Sequence, residues 1–314
     1  MRIFLAGATG AVGARMLPML IDDGHEVVAM TRTAAKAGAL REAGALPVVA
    51  DGLDRDAVRG AVLGAEPEVV VHHLTALRGA ADFRRFDATF AQTNRLRTEG
   101  TRHLLDAARD AGARRIIAQS YAGWPFAKVG GPVKDERAAL DDAPPRAQRR
   151  TLAAIRELER SVAGARGIEG VVLRYGALYG PGTSLEPGAD LAALIVRRRM
   201  PVVGSGAGVW SFTHVDDAAG AAVRALDHGA PGVYNVVDDD PAPVAVWLPE
   251  VARLLGAPEP RRVPRWIGRL AAGEVGVSLM TRVRGASNAL ARRELEWAPR
   301  YPSWREGLSA RGGP

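Results

Sequence analysis

A short glycine-rich segment near the start of the sequence could bind a phosphate group. It reads Gly7-Ala8-Thr9-Gly10-Ala11-Val12-Gly13, and it joins an apolar run to an amphipathic stretch. Small residues let the backbone approach a pyrophosphate closely, and a helix that begins here offers free N–H groups to its charge. The position between a strand and a helix favours dinucleotide binding over a purely structural turn. The predicted phosphate-binding residues are Gly7, Thr9, Gly10, Ala11, Val12 and Gly13.

Two basic side chains follow the second predicted strand, where the type of dinucleotide is selected. An acidic residue about 20 positions beyond the glycines usually binds the ribose 2′-hydroxyl of NAD. Here the sequence reads Met30-Thr31-Arg32-Thr33, without an acid, and Lys36 follows. Arginine can form two hydrogen bonds to a 2′-phosphate and stack on the adenine. We therefore predict NADP rather than NAD, bound by Arg32 and Lys36. The alternative is that Arg32 only ends a strand in solvent.

Apolar runs alternate with alanine-rich amphipathic segments along the first half of the chain, which predicts parallel strands joined by crossover helices. The predicted strands are Ile3–Ala6, Glu26–Met30, Pro47–Ala50, Glu68–His72, Arg115–Ala118 and Gly170–Arg174. The predicted helices are Ala11–Asp22, Ala34–Ala43, Asp54–Leu63, Phe83–Ala111 and Ala147–Ala163. We therefore predict an α/β fold with a doubly wound parallel sheet of the Rossmann type. Irregular loops are expected at 121–150 and after Arg174.

The composition excludes several classes of site and partner. The 314 residues contain no cysteine, so a disulfide scaffold, a thiolate zinc site and a cysteine nucleophile are all excluded. The net charge is +7, but basic and acidic residues are interspersed, which favours solvated helix faces over a nucleic-acid surface. No apolar stretch approaches the roughly 18 residues of a membrane span, and no signal-peptide cleavage site is recognisable, so we expect a cytoplasmic protein. His72 and His73 are adjacent on a predicted strand and would point to opposite faces, so we predict no metal site.

Several further segments resemble, in this order, the extended, epimerase/dehydratase-like branch of the short-chain dehydrogenase/reductase superfamily. They are VVADGLD, VVHHLTA, EGTRHLLDAARDAGARRII, LRYGALYGPG, FTHVDDAAGAAVRAL and YNVVDDDPAP. The resemblance implies an NADP-binding Rossmann domain over residues 1–174 and a smaller substrate-binding part over 175–314, of which about 209–240 returns to the Rossmann core. It implies a small-molecule substrate between the two parts, and dimers are common in the family. The further cofactor contacts that it implies are Asp51, Gly52, Leu74, Thr75, Ala76, Ser120 and Tyr175.

The catalytic set of that family is a serine or threonine after the fifth strand and a Tyr–Lys pair, four residues apart, on the next helix. Ser120, in IIAQSYAGW, matches the serine, which would hydrogen-bond the substrate oxygen. The best alignment of the helix puts Thr151 and Ile155 where the tyrosine and the lysine belong, and a shift of two residues offers Arg149 and Ala153. No tyrosine of the sequence has a lysine four positions later. The usual proton relay is therefore not encoded.

Three sets of residues could replace the missing proton donor: Tyr121, the pair Tyr175 and Tyr179, and the loop lysines Lys128 and Lys134. Tyr121 follows Ser120 directly, and Tyr175 lies just past the sixth strand, at the carboxyl edge where ligands bind in open sheets. Trp124 and Trp210 are expected to shape the pocket. The predicted catalytic residues are therefore Ser120, Tyr121 and Tyr175.

The resemblance implies an NADP(H)-dependent oxidoreductase or epimerase-like enzyme that acts on a small-molecule carbonyl or alcohol with a non-standard proton donor. Loss of an acid–base group typically slows a reaction about 10²–10⁴-fold, and a substrate that is already activated needs less proton assistance. Two alternatives stay open at this point. One is a non-catalytic NADP-binding regulatory protein, and the other is a non-redox isomerase or cyclase on the same scaffold.

Overall fold

Seven strands form one parallel sheet in the computed structural model, which describes residues 1–77 and 82–310. The strands are β1 (Arg2–Ala6), β2 (Glu26–Thr31), β3 (Leu46–Val49), β4 (Val69–His72), β5 (Arg115–Tyr121), β6 (Val133–Lys134), β7 (Glu169–Tyr175), β8 (Ala177–Tyr179), β9 (Val202–Val203), β10 (Val209–Trp210), β11 (Phe212–His214), β12 (Gly232–Val236), β13 (Ala242–Pro243), β14 (Arg262–Val263) and β15 (Gly285–Ala286). The large sheet has the order β12-β7-β5-β4-β1-β2-β3. This order confirms the predicted doubly wound α/β fold.

Helices cover both faces of the sheet, and further helices follow in the C-terminal part. The α-helices of the described residues are α1 (Ala11–Asp22), α2 (Ala37–Glu42), α3 (Arg55–Ala65), α4 (Phe86–Thr89), α5 (Ala91–Arg95), α6 (Thr101–Asp110), α7 (Arg149–Ala163), α8 (Asp190–Val196), α9 (Val215–Arg224), α10 (Val244–Leu254), α11 (Arg265–Thr281), α12 (Ala289–Glu294) and α13 (Trp304–Ser309). Turns of 3₁₀ helix lie at Ala34–Lys36, Phe83–Arg85 and Arg146–Gln148, and a π turn spans Leu96–Gly100. None of these helices is long and apolar enough to cross a bilayer.

Each face of the sheet has its own apolar core. On one face, α1 and α9 pack side by side over strands that include β1, whose Ile3 and Leu5 point into this core. On the other face, Phe4 of the same strand points toward α3 and α6. Because both faces are covered, the strands are nearly bare apolar runs rather than alternating ones. Burial of each such side chain contributes about 1.5–3 kcal/mol.

The chain after β7 contributes one more strand to the sheet and builds a separate core beside it. β12 pairs in parallel with β7 at the sheet edge, and α9, which precedes it, packs on α1. The separate core is aromatic and includes Tyr179, Phe212, Trp247 and Trp304. A domain boundary near residue 174 stays a prediction.

A buried carboxylate anchors α13 against this aromatic core. Asp238 accepts a hydrogen bond from the backbone N–H of Trp304 at 2.8 Å, and the ring of Trp304 packs 5.6 Å from that of Phe212. The second carboxylate oxygen of Asp238 is buried without a hydrogen-bond partner among the described residues. Burial raises the pKa of Asp238 to about 8, so the neutral form is favoured near neutral pH.

The helix predicted over Phe83–Ala111 is not continuous. The structure divides it into a 3₁₀ turn, α4, α5, the π turn and α6. The break at Phe90 lets its ring stack on that of Phe86, with 4.4 Å between centroids, and the π turn brings Gly100 close to the backbone oxygen of Gly52. The prediction of a single helix was wrong because hydrophobic periodicity does not reveal a one-residue insertion in a helix. Such π turns occur frequently at functional sites.

Candidate active site

The glycine segment forms the turn between β1 and α1 and leaves no room for side chains. Gly7 has a φ of 102°, and a Cβ there would lie 2.6 Å from the backbone oxygen of His73. A Cβ at Gly13 would lie 2.2 Å from the backbone oxygen of Gly7. Both positions therefore require glycine for the turn to close, and the close packing brings the backbone to the edge of the sheet.

The N-terminus of α1 is open to a ligand. Thr9 and Gly10 are exposed, Gly10 offers no side chain as a cap, and the first turn of the helix contains no acidic residue. Val12 packs into the core below, and the loop after β8 approaches from the other side, where a Cβ at Gly182 would be 3.6 Å from that of Ala11. An uncapped helix N-terminus beside a glycine turn fits a pyrophosphate.

The chain turns outward at the end of β2. Thr31 is buried, and its hydroxyl accepts a hydrogen bond from the backbone N–H of Thr33 at 3.2 Å. Arg32 and Lys36 follow on the exposed side of this turn, so both side chains are accessible to a ligand. Binding of NADP by these two residues stays a prediction.

The ends of β3 and β4 meet beside the same edge. Asp51 is half-buried there, and a Cβ at Gly52 would lie only 2.6 Å from the Cδ1 of Leu74. The loop after β4 is fixed by a hydrogen bond from the backbone N–H of Ala76 to the hydroxyl of Thr93, at 3.1 Å. The predicted contacts on this loop, all half-buried, are Leu74, Thr75 and Ala76.

The hydroxyl of Ser120 is engaged in a buried ionic network. It donates to Oε1 of Glu159 at 2.7 Å, and the guanidinium of Arg174 donates to both oxygens of Glu159 at 2.8 and 2.7 Å. Phe126 covers the guanidinium, whose Cζ is 5.4 Å from the ring centroid. In this arrangement the serine supports Glu159, and its role as a donor to substrate stays a prediction.

The two residues of α7 that the resemblance aligns with the tyrosine and the lysine offer no free proton donor. The hydroxyl of Thr151 donates to Oδ1 of Asp87 at 2.7 Å and accepts from the amide of Asn94 at 3.0 Å, so both of its functions are used. Asp87 also accepts from the backbone N–H of Thr151 at 2.8 Å, which fixes the start of α7 to α4. Ile155 is fully buried in an apolar cluster. An apolar side chain therefore occupies the position where the resemblance places a lysine.

Tyr121, at the end of β5, borders an aromatic cluster. Its ring lies 6.4 Å from that of Trp124, and its side chain is partly exposed. Burial raises the pKa of Tyr121 to about 12, while the charge of Arg97 acts in the opposite direction. The phenol is therefore protonated at neutral pH, as a hydrogen-bond donor must be.

Tyr175 lies in the core on the α1 and α9 face. Its hydroxyl donates to the backbone oxygen of Ala218 at 3.2 Å, and its ring meets that of His73 edge-on with 5.9 Å between centroids. Burial raises the pKa of Tyr175 well above its usual value. Tyr121 and Tyr175 are paired neighbours on β5 and β7, but the hydroxyl of Tyr175 is engaged in the core, and its catalytic role stays a prediction.

Aromatic and aliphatic side chains from several helices, strands and loops gather next to Tyr121. The ring of Phe86 meets that of Trp124 edge-on at 5.3 Å, and the second half of α11 packs on both through Val275 and Leu279. The members of this aromatic cluster are buried or partly buried side chains packed against one another: Phe83, Phe86, Phe90, Tyr121, Trp124, Leu140, Ala147, Leu152, Ile155, Trp210, Val275, Leu279 and Val283.

Arg97 is a buried residue beside the candidate site that the sequence analysis did not single out. The π turn carries it into the interior, where it is 8% exposed and its Nη1 donates to Oδ1 of Asn94 at 3.5 Å. Asn94 in turn contacts Thr151, so Arg97 adjoins the relay positions. Arg97 lies between Leu96 and Gly100, which are both buried in the π turn. A continuous helix, as expected from the sequence, did not predict that a charged residue would be buried there.

His72 and His73 face opposite sides of the sheet, as their adjacency predicts. Nε2 of His72 lies 3.0 Å from the hydroxyl of Thr101, whereas His73 contacts Tyr175. Burial lowers the pKa of His72 to about 4 and that of His73 to about 3, so both rings are neutral at physiological pH. Within residues 1–77 and 82–310, no group of three or more His, Cys, Asp or Glu side chains could hold a metal ion.

Comparison with known proteins places this geometry in a family. Residues 3–236 match the NAD dependent epimerase/dehydratase family. The chain is 50% identical over 309 residues to a 3-diazoavenalumate denitrifying reductase from a Streptomyces species, covering 98% of this chain and 99% of that protein. It is 25% identical over 270 residues to sterol demethylase protein B of Methylococcus capsulatus, covering 83% and 76%.

Solved structures share the fold at lower identity. UDP-glucose 4-epimerase of Thermotoga maritima, solved with UDP-glucose, superposes with a TM-score of 0.75 at 23% identity, covering 98% of this chain and 96% of that one. The Thermus thermophilus UDP-glucose 4-epimerase, solved with NAD, gives 0.70 at 22%, covering 98% and 97%. The non-catalytic alternative is wrong, because the reductase relative is half identical over nearly the whole chain. The chain belongs to the NAD-dependent epimerase/dehydratase family and is an oxidoreductase-type enzyme.

Proposed function

We propose that this enzyme is an NADPH-dependent reductase that replaces a diazo group on an aromatic ring with hydrogen and releases N₂. The observation that carries the proposal is the pair Thr151 and Ile155, which offers no proton donor where carbonyl chemistry needs one. The relative named a denitrifying reductase of a diazo compound supports the same chemistry.

The chemistry of a diazonium carbon explains why a relay is unnecessary. When a carbonyl is reduced, its oxygen becomes an alkoxide and must receive a proton, which a Tyr–Lys pair supplies. When a diazonium carbon gains hydride, a C–H bond forms and the C–N bond breaks, and its electron pair leaves with neutral N₂. A bound reduced nicotinamide would supply the two electrons and would itself be oxidised. No proton is taken up or released in this reaction. The apolar side chain of Ile155 therefore does not slow it.

Residues of the aromatic cluster are suited to contact the aromatic ring of a substrate. Phe86 and Trp124 already meet edge-on, and Tyr121 adds a phenol that is protonated at neutral pH. Offset or edge-on contacts between aromatic rings contribute about 0.5–1.5 kcal/mol beyond the burial of area. These residues therefore orient a flat substrate and exclude water from a reactive diazonium.

The cofactor that we propose is NADP, held by this chain's own groups. A bound reduced nicotinamide would supply the hydride. The glycine turn and the open start of α1 would bind the pyrophosphate, and a Cβ at Gly13 would distort that turn by colliding with the backbone oxygen of Gly7. Arg32 and Lys36 would bind the 2′-phosphate, since both are exposed beyond β2 where NAD enzymes carry an acid.

The proposal is tested by the products formed from a defined probe. Purified protein, NADPH and 4-hydroxybenzenediazonium are mixed without oxygen, and phenol, N₂ and NADP⁺ are measured. We expect the three products in equal amounts, at a rate proportional to protein and absent from Gly13→Ala protein, which controls for uncatalysed loss of N₂. Reduction of 4-hydroxybenzaldehyde without turnover of the diazonium would contradict the proposal and favour the carbonyl chemistry implied by the resemblance.

A further inference from the structure

The side chain of Arg97 is largely buried, and its guanidinium is weakly paired within the protein. It is 8% exposed, and its one side-chain hydrogen bond, to Asn94, is long at 3.5 Å and goes to a neutral amide. Within the described residues, no carboxylate lies within 4.0 Å of it. Transfer of a charge out of water costs several kcal/mol unless a counter-charge or good hydrogen bonds repay it. Burial accordingly lowers the pKa of Arg97 to about 10, yet the side chain stays charged at neutral pH.

The groups around Arg97 do not neutralise it. Glu159 is the nearby acid, but its two oxygens accept three hydrogen bonds from Ser120 and Arg174, so its charge is matched by another guanidinium. His72 is neutral, and Tyr121 is a protonated phenol. Arg97 therefore places a positive charge without a close carboxylate partner next to Asn94, which contacts Thr151, and that charge acts on Tyr121 of the aromatic cluster.

We propose that Arg97 binds an oxyanion carried by the substrate, and that this pairing defines the substrate class as a diazo arene with an anionic oxygen. The inference rests on the proposed function. A simple aryldiazonium cation would be repelled by an unmatched guanidinium, at an energy that is large where water is excluded. A substrate that carries phenolate or carboxylate as well as diazonium is neutral overall and supplies the missing counter-charge.

Pairing with a ring oxygen would also assist the reaction. An oxygen conjugated with the diazo carbon shares its negative charge with the ring, which makes that carbon less electrophilic. A guanidinium that binds the oxygen holds the negative charge there, and the ring carbon gains diazonium character. Arg97 would thus raise the rate of hydride addition by an interaction that acts on charge, without moving a proton.

Binding of unreactive nitroarenes tests the inference without relying on turnover. Isothermal titration of the NADP⁺-loaded protein compares 2-nitrophenolate, 2-nitroanisole and 3-nitrocinnamate, in which the nitro group stands in for the diazo group. We expect one of the two anions to bind about 10- to 100-fold more tightly than the neutral ether, as hydrogen bonds to charged groups allow. Preference for nitrophenolate assigns the ring oxygen to Arg97, and preference for nitrocinnamate assigns the side-chain carboxylate.

Variants of Arg97 show whether it is the source of that preference. Arg97→Met and Arg97→Gln should bind the anion and the ether equally, and Arg97→Lys should restore part of the preference. The control is Arg102→Met, an exposed arginine of α6 that pairs with Glu157 and should leave all affinities unchanged. Equal binding of the three arenes by the wild-type protein, which depends on no variant folding, overturns the inference. A preference for the anion that persists in Arg97→Met also overturns the inference. In both cases the proposed function stands. Failure of the wild-type protein to bind any arene overturns both.

Discussion

Replacing Glu159 with glutamine is expected to destabilise the protein strongly, because Glu159 compensates a buried guanidinium. Glu159 is 7% exposed and Arg174 is 4% exposed. Arg174 donates two hydrogen bonds to the carboxylate, one to each oxygen, and Ser120 donates a third to Oε1. The pair connects α7 to β7 beneath the carboxyl edge of the sheet, so the network fixes the end of β5 where Ser120 and Tyr121 lie.

The size of the destabilisation follows from which hydrogen bonds and which charge glutamine keeps or loses. Its amide oxygen can still accept from Ser120 and from Nε of Arg174, but its NH₂ group then faces Nη2 of Arg174, donor against donor. The buried guanidinium also loses its counter-charge, and removal of one partner of a buried ion pair costs about 3–5 kcal/mol. Because two of the three hydrogen bonds persist, we expect the lower end of that range, about 3 kcal/mol.

Urea unfolding of the cofactor-free protein measures this loss. The matched control is Glu157→Gln, two residues earlier on α7, where the carboxylate is 38% exposed and lies 3.5 Å from Arg102. An exposed pair of this kind contributes about 0–1 kcal/mol, so the control should change little. Equal losses in the two variants would refute the argument that Glu159 compensates a buried charge.

The remaining predictions concern the serine, the cofactor site and pH. Ser120→Ala should cost about 1.5–3 kcal/mol of stability with kcat/KM within about threefold of wild type, and a loss of about 10²-fold in kcat/KM would instead make the hydroxyl catalytic. Gly13→Ala should weaken NADPH binding at least about tenfold in a fluorescence titration, while Gly60→Ala, which meets open space, should not. Arg32→Asp should abolish a preference for NADPH over NADH, and equal affinities in the parent would contradict that assignment. Because burial raises the pKa of Asp238 to about 8, the native state holds a proton that the unfolded chain releases from about pH 4, so stability should fall as pH rises between these values. Asp238→Asn should flatten that decline, and an unchanged slope in unfolding experiments would contradict it.

The sheet and the glycine turn could be predicted from the sequence because their signals are local. Apolar runs such as Val69–His72 read as buried strands, and Gly7 and Gly13 stand at the spacing that a tight phosphate turn requires. The structure supplies the reason for those glycines, because each Cβ would collide with backbone oxygen. Family membership likewise followed from the order of the motifs along the chain.

The surroundings of the candidate catalytic residues could not be predicted in the same way. They depend on the direction in which each side chain points, and that direction changes from one residue to the next. Ser120 and Tyr121 are neighbours on β5, and adjacent strand residues point to opposite faces. The motif alone did not show which partner each side chain has. Ser120 donates a hydrogen bond to Glu159, and Tyr121 packs against the aromatic cluster. Arg97 was missed for a related reason, since the π turn shifts the register of a helix whose periodicity predicted no interior charge.

The central claim is that hydride reaches a carbon that loses N₂ with no proton transfer from the protein, and isotopic labelling tests it most directly. The wild-type enzyme is given reduced cofactor with deuterium in the transferred position and 4-hydroxybenzenediazonium, in parallel reactions in H₂O and D₂O. We predict one deuterium from the cofactor at the carbon that carried nitrogen, N₂ equal to the cofactor oxidised, and the same rate in both solvents. Hydrogen from solvent at that carbon, or nitrogen retained in the product, would contradict the account.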